Sequence, residues 1–177
     1  MSKNGLILLT PTSIAYTGTS ATISANGSVS FSAVSSLSLN GVFSADYDNY
    51  MIATHLKSTS GSNIAGRLRA SGTDNTTGYT RQYIDVDGTS VVGQRASTSY
   101  FNSLVYSYNN QKSGSIIYIY GPYLAQPTAL RTVIVSDPSN AGITDIAGTH
   151  SVSTAYDGIT FYAGTSTGRV AVYGMRK

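Results

Sequence analysis

Three dipeptides narrow the folds open to this chain: Asn26-Gly27, Asn40-Gly41 and Asp87-Gly88. Each lies between stretches in which apolar residues alternate with polar ones. Asn-Gly and Asp-Gly take up the positive backbone angles of tight turns at little cost, and a side-chain period of two belongs to a strand with one covered face. Val29, Phe31, Leu37 and Leu39 alternate with serines around the first two turns, and residues 79–86 and 89–94 flank the third. Near the end of the chain, Ile159, Phe161 and Ala163 alternate with Thr160 and Tyr162, and Val170 and Val172 with Arg169, Ala171 and Tyr173. The Gly/Ser/Thr linker 164–168 between them predicts a C-terminal hairpin, the seam against which earlier strands close.

Further strands are expected over residues 5–9, 50–56, 64–70, 100–108, 115–120, 131–136 and 143–151. The run Ser115-Ile-Ile-Tyr-Ile-Tyr120 is apolar or aromatic at both parities, which predicts a central strand covered on both faces. Helices draw on Glu and Lys for their surfaces, and here all eight acids are Asp and only four residues are Lys. The expected fold is therefore all-β: an antiparallel β-sandwich of jelly-roll type with about 10–12 short strands. One sandwich domain, residues 21–177, would follow an N-terminal arm, residues 1–20. Leu6, Ile7, Leu8 and Leu9, stopped by Pro11, read as a short strand buried on both faces or as an arm covered by a neighbouring subunit. That run is too short for a signal-peptide core or a membrane span, so the expectation is cytosolic synthesis without membrane insertion.

Catalytic and metal chemistry find little purchase. The chain has no cysteine, so disulfides and thiolate metal sites are excluded. Its net charge of +3 comes from scattered residues rather than a basic stripe, which argues against nucleic-acid binding. Arg67 and Arg69, two apart on a strand, are expected on a solvated face. Asp85-Val-Asp87-Gly88 resembles half of a calcium loop, but no Glu exists to close it, so a turn is expected. Asp46 and Asp48 read as backbone-capping carboxylates before a cation site. His55, on the strand face of Met51 and Ala53, is expected to be a buried or partly buried structural histidine. His150 lies near Ser151, Asp145 and Asp157, yet no Gly-x-Ser-x-Gly elbow accompanies it. The expectation is a protein without enzymatic activity, cofactor or metal.

The fourteen tyrosines exceed what a core already supplied with Ile, Val, Leu and Phe can use. Large amphipathic rings serve subunit interfaces and sugar-stacking surfaces. Tyr79, Tyr83 and Asp85 on one side of a strand, with Tyr118, Tyr120 and Tyr123, are the candidates for an interface or a glycan surface. The phrases Phe43-Ser-Ala-Asp-Tyr-Asp-Asn-Tyr-Met-Ile52, Arg67-Leu-Arg-Ala-Ser-Gly-Thr-Asp-Asn75, Tyr156-Asp-Gly-Ile-Thr-Phe161 and Gly168-Arg-Val-Ala-Val-Tyr-Gly174 resemble a β-sandwich module of tailed bacteriophages. The opening Met1–Ala15 is similar to small virion proteins of marine phages and cyanophages. This resemblance implies a structural protein on the exterior of the virion, capsid or tail, forming a trimer or other symmetric homo-oligomer. One compact domain without a shaft points to a capsid decoration subunit docked by Leu6–Leu9 onto a larger capsid or tail protein. A tail-fibre tip, or a module binding a host-surface glycan, is the alternative.

Overall fold

The computed structural model describes residues 5–109, 111–137 and 142–176; residues 1–4 of the expected arm and the loop expected at Pro138 lie outside them. Among the described residues there are thirteen strands and no helix. They are β1 (Leu6–Leu9), β2 (Ser13–Ile23), β3 (Val29–Asn40), β4 (Asn49–Ser58), β5 (Ser62–Ala70), β6 (Thr73–Asp74) and β7 (Tyr79–Asp87). They continue as β8 (Ser90–Thr98), β9 (Phe101–Ser107), β10 (Ser113–Tyr120), β11 (Thr128–Asp137), β12 (Gly142–His150) and β13 (Gly158–Met175). Every strand ladder is antiparallel, so the expected all-β antiparallel sandwich of jelly-roll type is what forms.

Two of the turn dipeptides close hairpins where expected. β2 and β3 pair as far as Ile23 and Val29, and Asn26 Oδ1 accepts hydrogen bonds from the Ser28 backbone N–H and hydroxyl inside the loop. β7 and β8 pair out to Asp87 and Ser90, with Gly88 at a φ of 57°. Asn40-Gly41 instead ends a strand. Val29–Asn40 is one strand rather than two, with Ala33 at a φ of 48° marking a bulge, and Val42 and Phe43 leave the ladder for the core.

The C-terminal hairpin does not form. Residues 158–175 are one strand of 18 residues, and the 164–168 linker bends the chain without reversing it. Register shifts fall between Tyr162 and Ser166 and between Ser166 and Gly168, and Gly164 has a φ of 34°. The reason lies in the partners. The first limb pairs with β3 on one side and β5 on the other, through Ile159–Leu39 and Ile159–Leu68. The second limb pairs with β4, and its other edge meets first β3 and then β1. With both edges of both limbs occupied by other strands, folding the limbs onto each other would forfeit ladders on two sides.

β13 thereby belongs to both layers. One layer runs from β13 through β4, β10, β11, β12 and β7 to the edge strand β8; the other runs from β13 through β5 to β9, with β6 on the rim of β5. The core between them holds Ile52, Leu68, Leu104, Ile117, Ile119 and Ile159, all fully buried. Two buried hydroxyls also bridge the layers: Ser115 on β10 and Thr132 on β11 both donate to the Leu104 carbonyl of β9, at 2.9 and 3.3 Å. β10 lies mid-sheet as expected. However, Ile116, Tyr118 and Tyr120 face outward and are 37–41% exposed, because among the described residues no second layer covers that side.

Arg69 corrects another expectation, since it is buried rather than solvated. Its guanidinium reaches Ser38 Oγ (2.8 Å) and Asn40 Oδ1 (3.0 Å) on β3, Thr160 Oγ1 (2.5 Å) on β13 and Asp74 Oδ1 (2.5 Å) on β6, and also donates to the Gly72 carbonyl. Four strands meet on one planar cation, whose fork of donors matches several oxygens at once. Arg67 instead lies over the ring of Tyr162 at 4.8 Å. Replacing Arg69 with Met leaves the partly buried Asp74 carboxylate without its counter-charge, so Arg69→Met should cost about 3 kcal/mol. Urea titration checks this: an unchanged midpoint would mean that water replaces the guanidinium freely.

Candidate functional site

The sequence candidates separate into three places. Tyr79 is no surface residue: it is fully buried, its hydroxyl accepts from the Leu68 N–H (2.9 Å) and donates to the Asn75 carbonyl (3.1 Å). Burial pushes that hydroxyl well above the usual tyrosine range. Its ring meets Phe101 and His150 edge-on, at 4.8 and 4.4 Å between centroids. His150 is likewise fully buried, with Tyr156 at 5.1 Å on its other side, and Ser151 gives its hydroxyl to the Gly78 carbonyl. His150 Nε2 lies 3.5 Å from the Tyr156 hydroxyl, and the backbone at Thr77 and Val152 also reaches the ring, so the imagined Ser-His-Asp grouping resolves into an aromatic core cluster. His55, expected to be buried or partly buried, is exposed, because the face it shares with Met51 and Ala53 is not the core face. Asp46 shares a local turn with Ser44, and among the described residues no group of three or more His, Asp or Glu side chains could hold a metal.

Tyr83 and Asp85 come together in a second place. On β7 the side chains of residues 79, 81, 83 and 85 point toward the opposite layer. β9 covers Tyr79 but not the far end of the strand. There the layers part into a cleft of about 200 Å³. Arg81, Tyr83 and Asp85 of β7, with Ile134 of β11 and Thr144 of β12, form one wall; Asn63 of β5 and Ser103 and Tyr106 of β9 form the other. Thr144 holds Asp85 Oδ1 at 2.5 Å, and Arg81 gives Nη1 to Ser103 Oγ across the cleft at 3.3 Å. The Arg81 guanidinium also stacks on the Tyr83 ring at 4.4 Å, while Tyr83 donates its hydroxyl to Gln94 at 2.8 Å. Arg81 Nε is buried and has no acceptor among the described residues. The parity of β7 reveals Tyr83, Asp85 and Arg81; the other wall comes from strands remote in sequence.

Tyr118 and Tyr120 belong to a third place, the uncovered face. The cross-strand pairs align Ile116 with Val133, Val135 with Ile143, Ile143 with Val86, and Val86 with Val91. With Ile84, these β-branched residues form an apolar field across five strands, each residue 37–68% exposed. A groove of about 740 Å³ lies along its β10 and β11 side, lined by Ile116, Tyr118, Tyr120, Arg131, Val133 and Met175 among others. Within the field Arg131 and Asp145 form an exposed ion pair at 2.7 Å. Tyr123 is exposed in the loop after β10. Leu6–Leu9 is β1, which pairs with β13 and, among the described residues, with no other strand. Leu6 is nearly half exposed and the other three are partly covered.

No family model and no curated protein matches this chain. Loose overlaps with solved structures include the C-terminal CBM6 of the laminarinase LamC from Zobellia galactanivorans, at 12% identity over 95% of this chain and 98% of that one, with a TM-score of 0.28. Domain 4 of the extracellular arabinanase AbnA from Geobacillus stearothermophilus, solved with arabinotriose, overlaps at 12% identity, 97% and 82% coverage and a TM-score of 0.32. A Shewanella oneidensis protein of unknown function overlaps at 8% identity, 96% and 78% coverage and a TM-score of 0.25. At such scores no residue of one chain corresponds to a residue of the other, and nothing about ligands transfers.

The buried imidazole sets a pH dependence. Burial lowers the His150 pKa below its ordinary value near 6.5, so the folded protein holds the ring neutral where the unfolded chain protonates it. The stability it contributes is complete above the unfolded pKa and drains away as pH falls from there through the folded pKa. The thermal midpoint should therefore drop between about pH 7 and pH 5, and His150→Gln should flatten that slope. A slope of equal steepness in the variant would assign the proton uptake to another group.

Proposed function

We propose that this chain is a non-enzymatic structural subunit on the exterior of a tailed-bacteriophage particle, associating with copies of itself and with a larger virion protein. The observation that carries the reading is the uncovered apolar face. At ordinary side-chain areas its Ile, Val and Tyr residues present on the order of 800 Å², about what each partner contributes to a standard stable interface. An apolar field of that size on an isolated domain invites a partner.

A second copy of the chain fits the face on charge as well as area. Arg131 and Asp145 stand side by side within it, so a two-fold-related copy sets its Asp145 against this Arg131 and the reverse. The edge of β1 that pairs with no strand among the described residues offers a separate contact, where a strand from a larger capsid or tail protein extends the sheet. An apolar face and a strand edge open to a partner favour a capsid decoration subunit, many copies of which pack side by side. The resemblance to phage virion modules supports the reading of the particle, and the apolar face supports self-association.

Two measurements test this. Immunogold labelling of intact particles with an antibody to the domain should place gold over the heads. Gold at the tail would make the chain an appendage, and unlabelled particles would remove the virion role. In parallel, the purified protein should sediment as an oligomer at micromolar concentration, and the double variant Val133→Asp/Ile143→Asp as an 18.6 kDa monomer. Both positions are solvent-facing, so neither change removes core packing. A parent protein that is monomeric throughout would sink self-association.

A further inference from the structure

We infer that the cleft between the layers, framed by Tyr83 and Tyr106, binds a neutral saccharide. The inference does not depend on the assembly role, because the cleft opens between the layers and the apolar field lies on the outer face of one of them.

Four features specify the ligand. The cleft is about 200 Å³, room for a sugar ring but not for a folded peptide segment. Its two tyrosines rise from opposite layers, β7 and β9, so a ring entering between the layers meets Tyr106 on one side and, on the other, Tyr83 with the Arg81 guanidinium stacked on it. Pyranose rings carry an apolar patch of C–H groups that packs on an aromatic face, with hydroxyls around the rim. The polar groups beside the tyrosines match such a rim: Asp85 accepts, Arg81 donates, and Asn63 and Thr144 do both. Arg81 and Asp85 bring one positive and one negative charge, which leaves the cleft balanced and selects a neutral ligand over a uronate or a phosphate.

The cleft is also built in advance. Thr144 fixes Asp85 from the neighbouring strand, Ser103 ties Arg81 to the opposite layer, and Arg81 and Gln94 fix Tyr83 by stacking and by its hydroxyl. Tyr106 packs edge-on against Tyr108 at 4.7 Å. Held side chains lose little freedom when a ligand arrives, which is what a weakly polar ligand such as a sugar needs to bind measurably.

The test uses the full chain and a glycan microarray carrying neutral and acidic glycans of bacterial, algal and animal type, followed by calorimetry with the best neutral hit. At least one neutral glycan should bind, and Tyr106→Ala should weaken it about tenfold or more. Asn63→Ala, at an exposed position that cannot unfold the domain, should weaken it a few-fold. Tyr118→Ala on the outer face should leave it unchanged. Three outcomes would overturn the inference: no glycan bound, binding confined to acidic glycans, or neutral binding that survives Tyr106→Ala and Asn63→Ala but is lost with Tyr118→Ala. The last would move the sugar to the outer groove.

Discussion

The structure depends on a strand whose two edges are both occupied along nearly its whole length. β13 spends its first limb between β3 and β5 and its second between β4 on one side and β3 and β1 on the other. Within β13 the bend at residues 162–168 carries the chain from one layer to the other without releasing the ladder. The bend needs a residue that tolerates a positive φ, Gly164, and one that admits close backbone approach, Gly168. A Cβ at Gly168 would sit 2.2 Å from the His55 carbonyl oxygen. Arg69 reinforces the same corner by joining β3, β5, β6 and β13 through one guanidinium.

From that seam the two layers diverge in width, and both candidate surfaces follow. The layer built on β4 extends to β8, whereas the layer built on β5 ends at β9. β9 therefore covers the inner face of the wide layer only in part. Where cover is complete, Tyr79, Phe101, His150 and Tyr156 pack as core. Where it stops, the inner face of β7 becomes the wall of a cleft. Among the described residues no further layer covers the outer face of the wide layer, and its valines and isoleucines on β10, β11, β12, β7 and β8 meet solvent. A smaller second layer thus yields a polar recess and an apolar field on opposite sides of the same strands.

Much of this was legible locally and little of it globally. Turn dipeptides and period-two alternation located nearly every strand, because both depend on neighbours in the chain. The linker 164–168 misled because Gly, Ser and Thr serve a bulge as readily as a hairpin; only the strands on either side decide which forms. Tyr79 and Tyr118 sit in similar sequence surroundings, yet one is core and the other surface, since burial depends on whether a remote strand lies across that face. Arg69 and His55 were misjudged in opposite directions for the same reason. Within the cleft, Tyr83 and Asp85 shared a readable parity on β7, which also contains Arg81. Asn63, Ser103 and Thr144 carried no mark, as three other strands deliver them.

The pairing of β1 with the end of β13 has a mechanical meaning. Leu6 lies opposite Met175, so the two ends of the described chain emerge side by side at one corner of the sandwich. Tension applied between those ends would open that ladder one pair at a time, as a zipper opens, instead of shearing all its hydrogen bonds together. Such a joint yields at low force and re-forms readily. It would let the first few residues peel away while the corner held by Arg69 keeps the sandwich closed.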